Sequence, residues 1–246
     1  MEGRVALVTG VSRDLGIAWA VAERLADLGG VVFATGWQPH DDEMPWGARP
    51  VATSRFPIEA HDFADPAAPA ALIDEVIDRH GAIDIVLAVH ARSSHQSLAD
   101  VTAAELDLCW AVNVRSIVLL AQRFAERHDP ARPGGRMIWF TSGQAFAPMA
   151  SEVPYAVTKG ALHQMTATIA APLADAGIVV NCINPGPVDT GWAVGETHDR
   201  IAAMFPAGRW GSPADVANLV AFLVGDDGGW IQGQVINSEG GFRRWS

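Results

Sequence analysis

Two kinds of apolar pattern alternate along the chain. Short, largely continuous apolar runs stand at Val5-Ala6-Leu7-Val8, Val31-Val32-Phe33-Ala34, Ile83 to Val89, Met137-Ile138-Trp139-Phe140, Ile178 to Ile183 and Val235-Ile236. Runs of this kind suit strands buried on both faces of a parallel sheet. Between them the apolar residues fall at helical spacing: from about Gly16 onward, at Leu72, Ile73, Val76 and Ile77, from Ala103 to His128, and from near Pro154 to Pro172. Pro154 suits a first helical turn, whereas Pro172 predicts a kink or an end. Ser212-Pro213-Ala214-Asp215 predicts another helix start, with an N-cap, a proline at the first position and an acid at the third. From Gln38 to Ala60 the periodicity fails, broken by Pro39, Pro45, Gly47, Pro50 and Pro57. A helix there is shortened or replaced by loop. The alternation of strand and helix persists from residue 4 to 238 without linker or repeat. It predicts an α/β fold in a single domain, 1–246: a doubly wound sheet of about seven parallel strands with helices on both faces.

Composition narrows the picture. Hydrophobic residues make up 49% of the chain and charged ones 18%, ample for a large core. The formal net charge of −11 argues against nucleic acid and against anionic membrane surfaces as partners. No apolar run reaches the ~18 residues of a spanning helix. Met1-Glu2-Gly3-Arg4 leads straight into the first strand, so we expect no signal peptide and a cytoplasmic location. Cys109 and Cys182, both in apolar stretches, read as reduced core thiols and are too few for a metal site.

Candidate chemistry begins at the first turn. A buried strand, Thr9-Gly10 and then a helix from Gly16 form the opening of a dinucleotide fold. There glycine lets the backbone approach a pyrophosphate, and the helix start offers free N–H groups. The second signal is Tyr155 and Lys159, the only tyrosine and the only lysine in the chain. Four residues apart on a helix, they share a face. A phenol normally titrates near ~10, and a neighbouring cation favours its ionised form. Ser142 precedes Tyr155 by thirteen residues, just after a strand-like run. A surface Tyr–Lys pair on an ordinary helix is the plainer alternative.

Ser142 followed by Tyr155-x-x-x-Lys159 resembles the active site of the short-chain dehydrogenase/reductase family, and the likeness extends over essentially the whole chain, including members similar to 3-oxoacyl-acyl-carrier-protein reductases. The resemblance implies a Rossmann-type fold and NADP(H)-dependent hydride transfer between nicotinamide and a carbonyl or alcohol carbon of a small or acyl-type substrate. It implies that Ser142 polarises the carbonyl, Tyr155 gives the proton, and Lys159 lowers the tyrosine pKa and binds the nicotinamide ribose. Asn113, in Trp110-Ala111-Val112-Asn113-Val114, matches the family asparagine that holds a water feeding protons to the lysine; an interhelix hydrogen bond is the alternative. Pro185, Gly186, Val188 and Thr190 match the nicotinamide-side loop. Residues 191–211, with Trp192, Met204, Phe205 and Trp210, fall where the family keeps a substrate lid. A homo-oligomer, tetramer or dimer, is implied as well.

Several positions depart from the family. The turn Thr9-Gly10-Val11-Ser12-Arg13-Asp14-Leu15-Gly16-Ile17-Ala18 breaks the pattern TGxxxGxG. Read without gaps, Asp14 replaces the middle glycine. Read back from the helix, two residues are inserted, as in the longer loop of enoyl-acyl-carrier-protein reductases, and this keeps the helix in register. Gly10 and Gly16 remain phosphate-side positions under either reading, and Ser12, Arg13 and Ile17 are further cofactor-binding candidates. No carboxylate follows the second strand, where Thr35-Gly36-Trp37 stands, so NADP is favoured over NAD. Arg13 is then either a partner for the 2′-phosphate or a solvated loop residue. Asp62 and Phe63 stand where relatives hold adenine, and an acidic loop cap is the rival. Trp46 reads as core filling rather than a cofactor cover. His90 occupies the place of a usual asparagine, and we favour a hydrogen-bonded core residue over a functional one. An enoyl reductase is a second reading, but such proteins separate tyrosine and lysine by six residues, and Glu152 stands seven before Lys159. A non-catalytic NADP-sensing protein is a third.

Overall fold

A computed structural model of the protein describes residues 1–132 and 134–245. Seven strands form one sheet: β1 (Val5–Thr9), β2 (Val31–Gly36), β3 (Ile58–Ala60), β4 (Ile85–Ala88), β5 (Gly135–Phe140), β6 (Ile178–Asn184) and β7 (Val235–Asn237). Their order is β3-β2-β1-β4-β5-β6-β7, and every pairing is parallel. The order reverses between β1 and β4, so their carboxyl ends open a crevice where ligands bind in folds of this kind.

The apolar runs become strands because both faces of the sheet are covered. One core layer joins Leu7, Val86, Met137, Trp139 and Val180 to α3 (Ala68–His80), α5 (Ser116–Arg127) and α6 (Val153–Asp175). The other joins Ala6, Val8, Leu87, Ile138 and Ile183 to α1 (Ile17–Asp27) and α8 (Pro213–Val224). α1 starts with Gly16 as its N-cap, the register set by reading the glycine loop back from the helix. α8 begins in a capping box between Ser212 and Asp215. Pro172 withdraws one N–H from the α6 ladder, and the helix ends at Asp175.

Two features of the chain escape simple periodicity. The region broken by prolines holds a short helix, α2 (Gln38–Glu43), and the three-residue edge strand β3. The long helical stretch from Ala103 is interrupted: α4 (Ala103–Trp110) passes into a π-helical turn at Ala111–Arg115 before α5 begins. That extra turn contains Asn113, and such bulges are frequent at functional sites. Between Ser142 and the start of α6 lies a 3₁₀ turn, Gly143–Ala145, and α7 (Gly195–Ala203) stands between β6 and α8.

Candidate active site

The carboxyl end of β5 and the first turns of α6 form one wall of the crevice. Thr141 Oγ1 donates to the Lys159 carbonyl at 2.8 Å, and the Lys159 ammonium donates to the Phe140 carbonyl at 2.8 Å. The helix is thus pinned to the strand from both sides. Gln144 holds the serine: its Oε1 accepts from the Ser142 N–H at 3.1 Å while its Nε2 donates to Thr141 Oγ1 at 3.0 Å. Tyr155 is half-buried and hydrogen-bonded by the Ser142 side chain. Lys159 Nζ lies 5.4 Å from the centre of the Tyr155 ring. Ser142 and Tyr155 therefore meet, and the buried Lys159 lies against the tyrosine ring.

Their protonation follows from burial. Burial pushes the Tyr155 hydroxyl up to about 12, against the opposing Ser142 hydrogen bond, and the Glu152 carboxylate raises it further. Burial pulls Lys159 down to about 8. The expectation from the sequence is a tyrosine pKa lowered by Lys159; here burial sets the direction, upward, and the tyrosine holds its proton throughout the neutral range.

The opposite side of the crevice belongs to the glycine loop. Gly10 has φ +83°, and a Cβ there would stand 2.7 Å from the His90 backbone, so the turn leaves no room for a side chain. Ser12, Arg13, Gly16, Ile17, Asp62, Phe63 and Thr190 line a cavity of about 490 Å³. Arg13 lies over the Trp46 ring at 5.8 Å, and its Nε is buried without a hydrogen-bond partner among the described residues. Trp46, rather than filling the core, lines this cavity. Asp62 Oδ1 accepts from Ala64 N at 2.8 Å, so the carboxylate caps its own loop while also facing the cavity.

Residues 37–50 form a strap across this cavity. On the glycine-loop side Gln38 Nε2 donates to the Ser12 carbonyl at 2.6 Å and Arg49 pairs with Asp14 at 2.6 Å. On the β4 side the Ser93 N–H donates to His40 Nε2 at 3.0 Å, and Glu43 pairs with Arg92 at 3.2 Å. Arg92 is held in turn by both carboxylate oxygens of Glu105, at 3.0 and 3.1 Å. These contacts link positions far apart in the chain, and nothing in the local pattern announced them.

His90 is a core residue, as favoured. Its Nδ1 is 2.6 Å from Thr9 Oγ1, its Nε2 is 2.9 Å from Ser116 Oγ, and its ring stacks on Phe63 at 4.0 Å. Burial first, and Lys159 second, hold its pKa down to about 3, so the ring is neutral. Asn113 does not reach the cavity. Its Oδ1 accepts from Arg92 N at 2.6 Å, and its Nδ2 donates to the Arg92 carbonyl at 3.0 Å and to Thr158 Oγ1 at 2.9 Å. The side chain thus clamps the loop after β4 to α6.

A second cavity, of about 440 Å³, opens above Ser142 and Tyr155 and meets the first at Arg13, Ile17, Trp46, Ser93 and Thr190. Pro185, Gly186, Val188 and Thr190 line it, as do His95, Met149, Glu152, Trp192 and Arg244. Within 191–211, Trp192 faces the cavity, whereas Phe205 and Trp210 form a small separate core with Ala193. Sequence reasoning missed His95, Met149 and Glu152 as lining residues. Glu152 alone carried a signal, a carboxylate just ahead of the helix that bears Tyr155.

A family model described as enoyl-(acyl carrier protein) reductase matches residues 10–243. An uncharacterized oxidoreductase, YjdA, of Bacillus subtilis is 36% identical over 99% of this chain and 98% of its own length. Versicolorin reductase 1 of Aspergillus parasiticus is 33% identical over 98% of this chain and 97% of its own length. A short-chain dehydrogenase from Burkholderia cenocepacia, solved in complex with NADP, superposes with a TM-score of 0.83 at 33% identity, covering 98% of both chains.

Proposed function

The chain belongs to the short-chain dehydrogenase/reductase family and is an oxidoreductase of that type; we propose that it reduces the carbonyl group of a small or acyl-type substrate to an alcohol with NADPH, or runs the reverse with NADP. The observation that carries this reading is the meeting of Ser142 and Tyr155 on the wall of the second cavity, with Lys159 buried against the tyrosine ring.

The residues of the first cavity fit the cofactor. The cradle at Gly10 admits a close backbone approach, and the orphaned Arg13 Nε offers a guanidinium to phosphate. Asp41 and Glu43 line the same cavity; Glu43 is offset by its pair with Arg92, while Asp41 accepts from the neutral Trp46 Nε1 at 3.1 Å and keeps its charge. Gly10, Ser12, Arg13, Gly16 and Ile17 would hold the phosphates, Asp62 and Phe63 the adenine end, and Pro185, Gly186, Val188 and Thr190 the nicotinamide end. When bound, NADPH supplies the hydride.

The protein supplies position and the proton. Ser142, fixed by Gln144, donates to the substrate oxygen. Tyr155, kept protonated by burial, gives its proton to that oxygen as it becomes an alkoxide. Lys159 holds a positive charge beneath the phenolate that results, while Asn113 positions the neighbouring loop and so acts indirectly. General acid catalysis of this sort contributes about 10²–10⁴ in rate. The enoyl reading is disfavoured because Glu152 occupies the place its tyrosine would need.

A homo-oligomer, dimer or tetramer, accompanies the proposal. It is supported by exposed Trp110 and Val118 on the α4–α5 stretch, Val157 on α6, and Trp230 near the last strand. Sedimentation showing a monomer at micromolar concentration would remove it. The chemistry is tested by following NADPH absorbance over a panel of aldehydes and ketones: turnover supports the reading, while tight NADPH binding without turnover of any of them favours a sensor.

A further inference from the structure

The substrate cavity carries charge that the proposed chemistry does not use. Arg244 is spent. Its Nη1 donates to Glu239 Oε2 at 2.8 Å, its Nη2 to Glu239 Oε1, and the guanidinium lies against the rings of Phe146 and Phe242 at 5.3 and 5.1 Å. Arg13 lies at the cofactor end, over Trp46. Glu152 is different. Its backbone is fixed as the N-cap of α6, with its N–H donating to the Met149 carbonyl at 3.0 Å and its carbonyl accepting from Ala156 N at 2.8 Å. Glu152 lines the cavity, and its Oε1 lies 3.7 Å from His95 Nδ1. That is beyond hydrogen-bond reach. His95 is itself held edge-on to Trp46 at 6.3 Å.

Glu152 precedes Tyr155 by three residues and is near enough for its charge to act on the phenol. Burial raises its own carboxyl pKa, the mark of an anion short of donors. A substrate whose carbonyl oxygen sits on Ser142 and Tyr155 therefore presents its neighbouring carbons to an acceptor-only group. A hydroxyl there gains a charge-assisted hydrogen bond; a carboxylate there meets a like charge.

Resting on the carbonyl-reductase reading, we propose that Glu152, backed by His95, is the specificity-determining residue of this site and selects carbonyl compounds bearing a hydroxyl beside the carbonyl, with the matching vicinal diols as products, over unsubstituted and carboxylate-bearing carbonyls.

A matched three-carbon series tests this: hydroxyacetone, acetone and pyruvate as substrates with NADPH, using wild type, Glu152→Gln and Glu152→Ala. Wild type should prefer hydroxyacetone to acetone by at least about tenfold in kcat/KM, the worth of one hydrogen bond to a charged group. Pyruvate should be the poorest of the three. Glu152→Ala should bring the hydroxyacetone-to-acetone ratio to about one, and Glu152→Gln should restore part of it. A second measurement needs no turnover: quenching of tryptophan fluorescence by propylene glycol or lactate in the NADP-bound protein, since Trp46 and Trp192 line the cavity. Wild type should bind the diol in preference to lactate, and Glu152→Ala should lose that preference. If no ketone is reduced yet diol binding depends on Glu152, the reductase reading fails and the recognition role stands. Equal reduction of hydroxyacetone and acetone by wild type, a ratio unmoved in Glu152→Ala, or absence of both turnover and diol binding overturns the inference.

Discussion

The two halves of the crevice are built on different principles. Around Ser142, Tyr155 and Lys159 every fixing contact is short, local to β5 and α6, and largely shielded from water: lysine on the Phe140 carbonyl, Thr141 on the Lys159 carbonyl, Gln144 on the serine loop. Across the first cavity the strap of residues 37–50 is held by two hydrogen bonds, Gln38 to Ser12 and Ser93 to His40, and by ion pairs with solvent access, Arg49 with Asp14 and Glu43 with Arg92. Pairs of that kind are individually worth roughly 0–1 kcal/mol. The half to which the proposal assigns the chemistry is organised in advance, and the half to which it assigns the dinucleotide is closed largely by contacts of small individual worth.

The contrast can be broken at four points, from strong effect to weak. On the side assigned the chemistry, Tyr155→Phe should lower kcat by about 10²–10⁴ while leaving the NADPH dissociation constant, read by fluorescence, within about twofold, because the hydroxyl's contact is with the Ser142 side chain and not with the lining of the first cavity. Near-wild-type kcat would remove Tyr155 as the acid.

A pH profile probes the same wall. Lys159 is lowered to about 8 and Tyr155 raised to about 12, so the lysine loses its charge first as pH rises. Carbonyl reduction should be flat below pH about 8 and fall by about tenfold per unit above it, since only the charged lysine supports the developing phenolate. A flat profile through that range would show that the ammonium is not required.

At the boundary between the halves, Gly10→Ala forces a Cβ onto the His90 backbone at a positive φ. We expect a loss of roughly 1–3 kcal/mol in stability, seen as a lower Tm, together with weaker NADPH binding. Unchanged melting would mean that the loop relaxes freely. The smallest effect belongs to the strap. The double variant Arg49→Ala/Glu43→Gln should alter the NADPH dissociation constant by less than about fivefold, and the difference from wild type should shrink with added salt. A hundredfold loss would instead make the strap part of the binding site proper.

The same contrast explains what could be read beforehand. Tyr155 and Lys159 were legible because a four-residue spacing on a helix is a geometric statement, and the strands because burial on both faces leaves continuous apolar runs. Asn113 was legible as an anomaly, an amide inside an apolar helix, yet its partners on the Arg92 backbone and Thr158 come from the loop after β4 and from α6. The π-helical turn around it has no sequence pattern. β3 is only three residues long and carries no alternation. The strap was hidden because prolines erase its periodicity and its contacts join residues 26 to 53 positions apart. His90, read as a core residue, proved to be one, since Thr9 and Ser116 satisfy both ring nitrogens.

In the proposed reaction hydride reaches a carbonyl carbon while Tyr155 protonates the oxygen, and isotope transfer follows that hydride. NADPH carrying deuterium at the transferable position, incubated with the protein and a carbonyl substrate that it turns over, should deliver the label to the carbinol carbon of the product alcohol. Label found instead at a carbon beside an intact carbonyl would identify an enoyl reduction, and label retained entirely in the nicotinamide would contradict hydride transfer altogether.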